Sequence, residues 1–314
     1  NMMVVPSSRP LHHQELGAGQ VDVRVCAVGL NFQDVLNVLV PEEAAYVMDT
    51  PLPGADFAGV VTAVPDTDDD NADGAPAYRV GDRVFGMAFE KDGMLRSHAA
   101  AVSTACLAHM PRGWSFEEAA QTPMVFLTVQ YALGEQAQLK RGERILIQSA
   151  AGGVGLAAVQ YAQRVGAEIF ATASQPKHAY LRSLGIEHIS TSRDAEVFAA
   201  DMADMVGERG VDVVLNSLTS GKYIENAVGL LAPGGRFIEI GKRNIWSAEE
   251  MAERRPDVQY HTHSFNELIP EEPGRLAPML RDLAAGAEAG VVRPLPMKVF
   301  EMRKNLVGAF QWLR

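Results

Sequence analysis

The sequence predicts an α/β protein of two domains, a doubly wound parallel sheet beside a second, mostly β domain. Three observations carry that prediction. Apolar strands alternate with helical stretches from Arg144 to Ile240, which implies a parallel sheet covered on both faces. The first third shows strand-like alternation punctuated by Gly and Pro. With 314 residues, 47% of them hydrophobic, the chain can fill more than one core.

The elements follow in order. Val21, Val23 and Val25 alternate within Gln20–Ala27, the period of a half-buried strand. Gly59–Val64 and Arg83–Met87 have the same character, and the acidic run Pro65–Pro76 between them is a solvated loop. That run lacks the spacing and terminal Glu of an EF-hand, so a calcium loop is not expected. Ser115 and Glu118 stand at capping-box spacing, so a helix starts there and runs towards Leu133.

Beyond that helix, strands are expected at Arg144–Ser149, Glu168–Ala173, His188–Thr191, Val211–Asn216 and Arg236–Ile240. Helices are expected between them at Gly155–Val165, Lys177–Leu184, Val197–Gly207 and Tyr223–Leu231. Another strand, Gln259–His263, and a helix, Arg275–Gly286, come next. The tail Val291–Phe300 is strand-like, so the chain returns to the first domain. The expected limits are therefore 1–114 with 275–314 for the mostly β domain, and 115–274 for the parallel sheet.

A net charge of -11 opposes approach to nucleic acid or an anionic membrane. No apolar run is long enough to span a bilayer, and no basic n-region with an apolar stretch opens the chain. Cys26 and Cys106 are too few for a disulfide framework and suit a reducing, cytoplasmic setting.

The segment Arg144-Ile-Leu-Ile-Gln-Ser-Ala-Ala-Gly-Gly-Val-Gly155 joins an apolar strand to a helix. Ala150, Gly152 and Gly155 take the three places of a dinucleotide fingerprint: the tight turn, the close approach to pyrophosphate, and the packing of helix on strand. Amides of Ala151, Gly152, Gly153, Val154 and Gly155 then meet the phosphates at a helix start. An acid about 20 residues after the first glycine position would hold a ribose hydroxyl and repel a 2′-phosphate. The next strand ends instead at Ser174, with Lys177 close behind and Arg193 after the third strand, which favours NADPH.

The sequence resembles the enoylreductase domains of type I polyketide synthases, medium-chain dehydrogenases/reductases related to the fatty acid synthase enoylreductase and to quinone oxidoreductases. The motifs that carry the resemblance span the chain. They are Gly29-Leu-Asn-Phe-Gln-Asp-Val-Leu36, Gly81-Asp-Arg-Val-Phe-Gly86, Val125-Phe-Leu-Thr-Val-Gln-Tyr131, Ser149–Gly155, Val211-Asp-Val-Val-Leu-Asn-Ser-Leu218 and Gly234-Gly-Arg-Phe-Ile-Glu-Ile-Gly-Lys242. The resemblance implies a Rossmann domain plus a GroES-like catalytic domain, whose usual final strand is missing here. It also implies NADPH-dependent reduction of a trans-2-enoyl thioester on an acyl carrier protein, within a multidomain synthase.

Residue by residue, the resemblance places Asn31 at the nicotinamide and Thr128 near the cofactor ribose. It places Asn216, Ser217, Gly241 and Lys242 at strand ends facing the cofactor. Lys222 matches one proton donor proposed for the family and Tyr46 is a counterpart of another, so Lys222, Tyr46 and Asn31 are the catalytic candidates. Asn244 stands where the family has an Asp and offers no titratable proton. Zinc-dependent members of the wider class carry a Cys and a Gly-His-Glu stretch at positions filled here by Gly29–Asp34 and Pro53–Gly59, so no metal is expected. A free-standing quinone or enone reductase, a domain diverted to reductive cyclisation, and a nucleotide-binding protein without catalysis remain the alternatives.

Overall fold

The computed structural model describes residues 15–39, 53–65, 78–88, 93–262 and 272–313. Tyr46, His263 and all but the first residue of the acidic run Pro65–Pro76 lie outside them. The described residues form two compact units, one drawn from Asn1–Met124 and Asn266–Arg314, the other from Val125–Phe265.

The first unit is built on an antiparallel sheet of order β4-β1-β2-β3-β5. Its strands are β1 (Gln20–Gly29), β2 (Asp56–Ala63), β3 (Arg83–Met87), β4 (His98–Ser103) and β5 (Leu107–His109), with helix α1 (Phe32–Leu39) following β1. The alternation read from sequence turns Val21 and Val23 into a core shared with Phe57, Val61, Val84 and Leu107. Fully burying side chains of this size stabilises by roughly 1.5–3 kcal/mol each. Strands β4 and β5 were not expected, because Ala-rich His98–Ser103 and three-residue Leu107–His109 carry little period-2 signal.

The capping box at Ser115 is present. The Ser115 amide donates to Glu118 Oε2 at 2.8 Å and the Glu118 amide donates to Ser115 Oγ at 3.1 Å. The helix it starts does not run through to Leu133. It stops at Ala120 (α2, Phe116–Ala120), and α3 (Pro123–Val129) begins afresh on Pro123 before a π-type turn, Gln130–Gln136. Proline has no N–H to give an interior turn and fits the first turn of a new helix. Helix α2 packs on β1 and β2 and belongs to the first unit.

Val291–Phe300 forms no strand. Pro294 and Pro296 remove ladder donors, and the segment is held instead by buried Val292 and Leu295, whose carbonyl accepts from Gln121 Nε2 at 3.0 Å. Helices Leu276–Glu288 and Met302–Leu313 flank it.

The second unit carries a parallel sheet of order β11-β10-β9-β6-β7-β8. Its strands are β6 (Arg144–Ile147), β7 (Glu168–Ala173), β8 (His188–Thr191), β9 (Val211–Asn216), β10 (Leu231–Glu239) and β11 (Gln259–Thr262). Helices α4 (Gly153–Val165), α5 (His178–Ser183), α6 (Ala195–Val206), α7 (Tyr223–Gly229) and α8 (Ala248–Arg254) connect them. Leu146, Phe170, Phe198, Val214 and Phe237 form its core. Strand order reverses between β6 and β9, the switch point at which doubly wound sheets open a ligand crevice. Among the described residues, no helix is long and apolar enough to cross a membrane.

Candidate functional site

The end of β6 leads into the turn Gln148–Gly152, which the sheet holds in place. Ser149 N donates to Thr172 Oγ1 at 3.0 Å and Ala150 N to the Thr172 carbonyl at 2.8 Å. Ser149 adopts a left-handed backbone, φ 51°, an unusual conformation for a non-glycine residue. A Cβ on Gly155 would lie 2.4 Å from the Ser149 carbonyl oxygen and 2.6 Å from Ala150 Cα, so only glycine brings α4 this close to the strand. On Gly152 it would sit 3.2 Å from the same oxygen.

Gly152 caps α4, and the amides of Gly153, Val154 and Gly155 open its first turn, where no intrahelical acceptor exists. Half-buried Ala151, Gly152 and Val154 with exposed Gly153 form a backbone cradle suited to an anion.

The neighbouring strand ends converge. Ser192 N donates to the Ala173 carbonyl at 3.1 Å, joining the loop after β8 to the end of β7. Ser174 and Arg193 each follow one member of that pair, and Lys177 closes the short turn after Ser174; both cations are exposed. Thr128 is buried within α3. Lys222 is exposed at the start of α7, and its carbonyl accepts from Asn226 N at 2.9 Å.

Two residues that the sequence reading did not single out organise the other strand ends. Gln148, 2% exposed, accepts at Oε1 from Leu218 N at 2.9 Å and Ser217 N at 3.4 Å, while its Nε2 is buried without a partner. Two backbone donors on Oε1 fix the orientation of that amide. Glu239, fully buried at the end of β10, accepts from Asn216 Nδ2 at 2.6 Å and Gly241 N at 2.7 Å. Burial pushes its carboxyl up to about 7, against the pull of those donors and of Lys242. A Cβ on Gly241 would meet Glu239 Oε1 and Thr219 Cγ2 at 2.7 Å, so a side chain there would displace those groups.

In the first unit, a pair of acids fixes Asn31. Its amide N donates to Asp34 Oδ2 at 2.6 Å and its Nδ2 to Asp56 Oδ2 at 3.0 Å. Asp34 Oδ1 accepts from Gly54 N at 2.7 Å, and Asp56 accepts from Met124 N at 3.1 and 3.2 Å. Burial pushes Asp56 up to about 8 and raises Asp34 as well. An acid inside an apolar run, as in Gly54-Ala-Asp-Phe-Ala and Phe237-Ile-Glu-Ile240, was the available signal for Asp56 and Glu239.

Residues 17–128 match the family described as alcohol dehydrogenase GroES-like domain, and 153–264 match the zinc-binding dehydrogenase family. The CurK enoyl reductase is 39% identical with a TM-score of 0.84, over 97% of this chain and 90% of that one. The chain belongs to the enoyl reductase family of polyketide synthases. The CurF ER cyclopropanase from the curacin A biosynthetic pathway is 37% identical with a TM-score of 0.85, over 97% and 90% of the two chains.

Curated relatives of this enoyl reductase domain are much longer. It is 43% identical over 301 residues to the spectinabilin polyketide synthase system protein NorB of Streptomyces orinoci, covering 95% of this chain and 13% of that protein. It is 40% identical over 295 residues to the pikromycin polyketide synthase component PikAII of Streptomyces venezuelae, covering 93% of this chain and 7% of that protein. The two-domain α/β fold and membership among oxidoreductases follow from these matches. The fold also implies a nicotinamide nucleotide, and the glycine cradle and the unpartnered buried atoms beside it fit such a ligand.

Proposed function

We propose that this domain is an NADPH-dependent, zinc-independent reductase of trans-2-enoyl thioesters presented by an acyl carrier protein. The observation that carries the reading is the Gly152–Gly155 turn at the switch point, followed across the sheet by Ser174 rather than an acid. Ala151, Gly152, Gly153, Val154 and Gly155 would hold the pyrophosphate. Ser174, Lys177 and Arg193 would hold the 2′-phosphate, and Thr128, Asn216, Ser217, Gly241 and Lys242 would line the rest of the cofactor site.

When bound, the nicotinamide supplies hydride to the β-carbon of the enoyl thioester, and the enolate then takes a proton at the α-carbon. Asn31 is proposed as a donor that positions the reacting group, its side chain steadied by Asp56. Lys222 is the proposed proton donor among the described residues, with Tyr46 the second candidate. Zinc independence is supported by the donor set. Asp34 and Asp56, which fall within the stretches where zinc-dependent members place their ligands, are committed as acceptors to backbone and side-chain amides. The GroES-like and Rossmann limits, 1–114 with 275–314 and 115–274, are proposed as the functional domains, and the other domains of a synthase as partners in the cytoplasm.

The test is NADPH oxidation with a crotonyl pantetheine thioester, with a simple quinone, and after treatment with a chelator. Turnover of the thioester that exceeds the quinone rate and survives chelation is expected. Quinone reduction alone would overturn the substrate assignment. Product mass separates simple reduction from the ring closure that a cyclopropanase relative makes worth testing.

A further inference from the structure

We infer that Glu239 is a positioning residue that sets which face of the Asn216 amide, acceptor or donor, is turned to the bound cofactor. The inference rests on the nucleotide reading above and deepens it. Asn216 lies wholly buried at the carboxyl end of β9, on the cofactor side of the switch point. Its Nδ2 is committed to Glu239 Oε2, while its Oδ1 is buried without a partner. A buried carbonyl left without a donor is unfavourable, so this oxygen suits a donor group of the nucleotide.

Glu239 controls that arrangement because its two oxygens have separate tasks. Oε1 accepts from the Gly241 amide, so a proton taken up by the carboxyl belongs on Oε2, facing Asn216. Protonated Oε2 donates, and the Asn216 amide must then turn to present Oδ1 to it. Nδ2 becomes the face left for the ligand. One proton thus converts the ligand-facing group from acceptor to donor without moving either strand.

Burial raises the Glu239 carboxyl to about 7, within reach of ordinary working pH. Lys242 acts against that rise, and Tyr260 on β11, raised first by burial and then by the charges of Glu239 and Glu250, is the titratable neighbour. Nucleotide affinity should therefore be higher with Glu239 ionised, above its folded value, and fall as pH drops through it.

The experiment titrates NADPH by nicotinamide fluorescence at pH 6 and pH 8, with a thermal melt of each protein. Glu239→Gln keeps an acceptor for Gly241 N and makes the other group a permanent donor. About tenfold weaker NADPH binding at pH 8 is expected, with a smaller pH 6 to pH 8 ratio than the wild type. Ionisation of the 2′-phosphate is common to every variant and cancels in that comparison. Adding Asn216→Asp to Glu239→Gln restores a free acceptor oxygen and should recover the affinity at pH 8. Asn216→Ala alone should lose the same pH-dependent component, which keeps the test valid where Glu239→Gln folds poorly.

Unchanged binding in Glu239→Gln, or a loss that Asn216→Asp does not recover, would overturn the inference and leave the nucleotide reading intact. A wild-type protein that binds no NADPH would overturn both.

Discussion

The two units build their functional groups by opposite means. In the parallel unit the proposed cofactor cradle is backbone, and its shape depends on what is missing, since a Cβ on Gly155 would overlap the Ser149 carbonyl at 2.4 Å. In the antiparallel unit the reaction-site candidate, Asn31, is held by side-chain carboxylates, Asp34 and Asp56. Backbone cradles tolerate no added atoms, whereas carboxyl anchors tolerate little loss of acceptors. The difference predicts that the units fail differently when altered.

The largest effect should come from Gly155→Val. The added atoms meet backbone on two sides, so destabilisation of about 3 kcal/mol and loss of NADPH binding are expected in a melt and a fluorescence titration. A variant that binds NADPH normally would show that α4 does not need its close approach to β6.

Next is Asp56→Ala, which leaves the Asn31 Nδ2 and Met124 amides without their acceptor and should cost about 2 kcal/mol by urea denaturation. The glycine cradle belongs to the other unit and should keep its shape in this variant. The pH dependence gives a second readout. Burial raises Asp56 from its ordinary 3.8 to about 8, so the folded chain keeps a proton that the unfolded chain releases. That contribution is complete below the ordinary value and is lost as pH rises through 8. Wild-type stability should therefore decline from about pH 4 to pH 8, and Asp56→Ala should flatten the decline. Glu239, raised from its ordinary 4.5 to about 7, adds a component of the same sign within that range.

The smallest of the three is Ser174→Asp. An acid at the end of β7 should weaken NADPH about tenfold and improve NADH, with melting unchanged. Equal effects on both nucleotides would place the 2′-phosphate elsewhere.

The same contrast explains what could be read from sequence. The parallel unit was legible because strand, glycine turn and helix recur with a fixed spacing, and every expected strand from Arg144 to Ile240 is present within a few residues. Local signals also placed the Ser115 cap. They failed where a tertiary contact or a proline outweighs the pattern. Pro123 restarts the helix, and Pro294 and Pro296 leave Val291–Phe300 packed but unpaired.

The candidate site divides likewise. Gly152 and Gly155 follow from a motif, but Gln148, Glu239 and Asp56 act through partners distant in sequence, such as Leu218 to Gln148 and Met124 to Asp56. A single acid in an apolar strand marks such a residue without naming what it holds.

The most direct test is product analysis with NADPH carrying deuterium at the transferable position and a trans-2-enoyl pantetheine thioester. The account predicts a saturated thioester with deuterium at the β-carbon and a solvent-derived hydrogen at the α-carbon. Deuterium at the α-carbon, or no transfer from NADPH to the thioester, would contradict it.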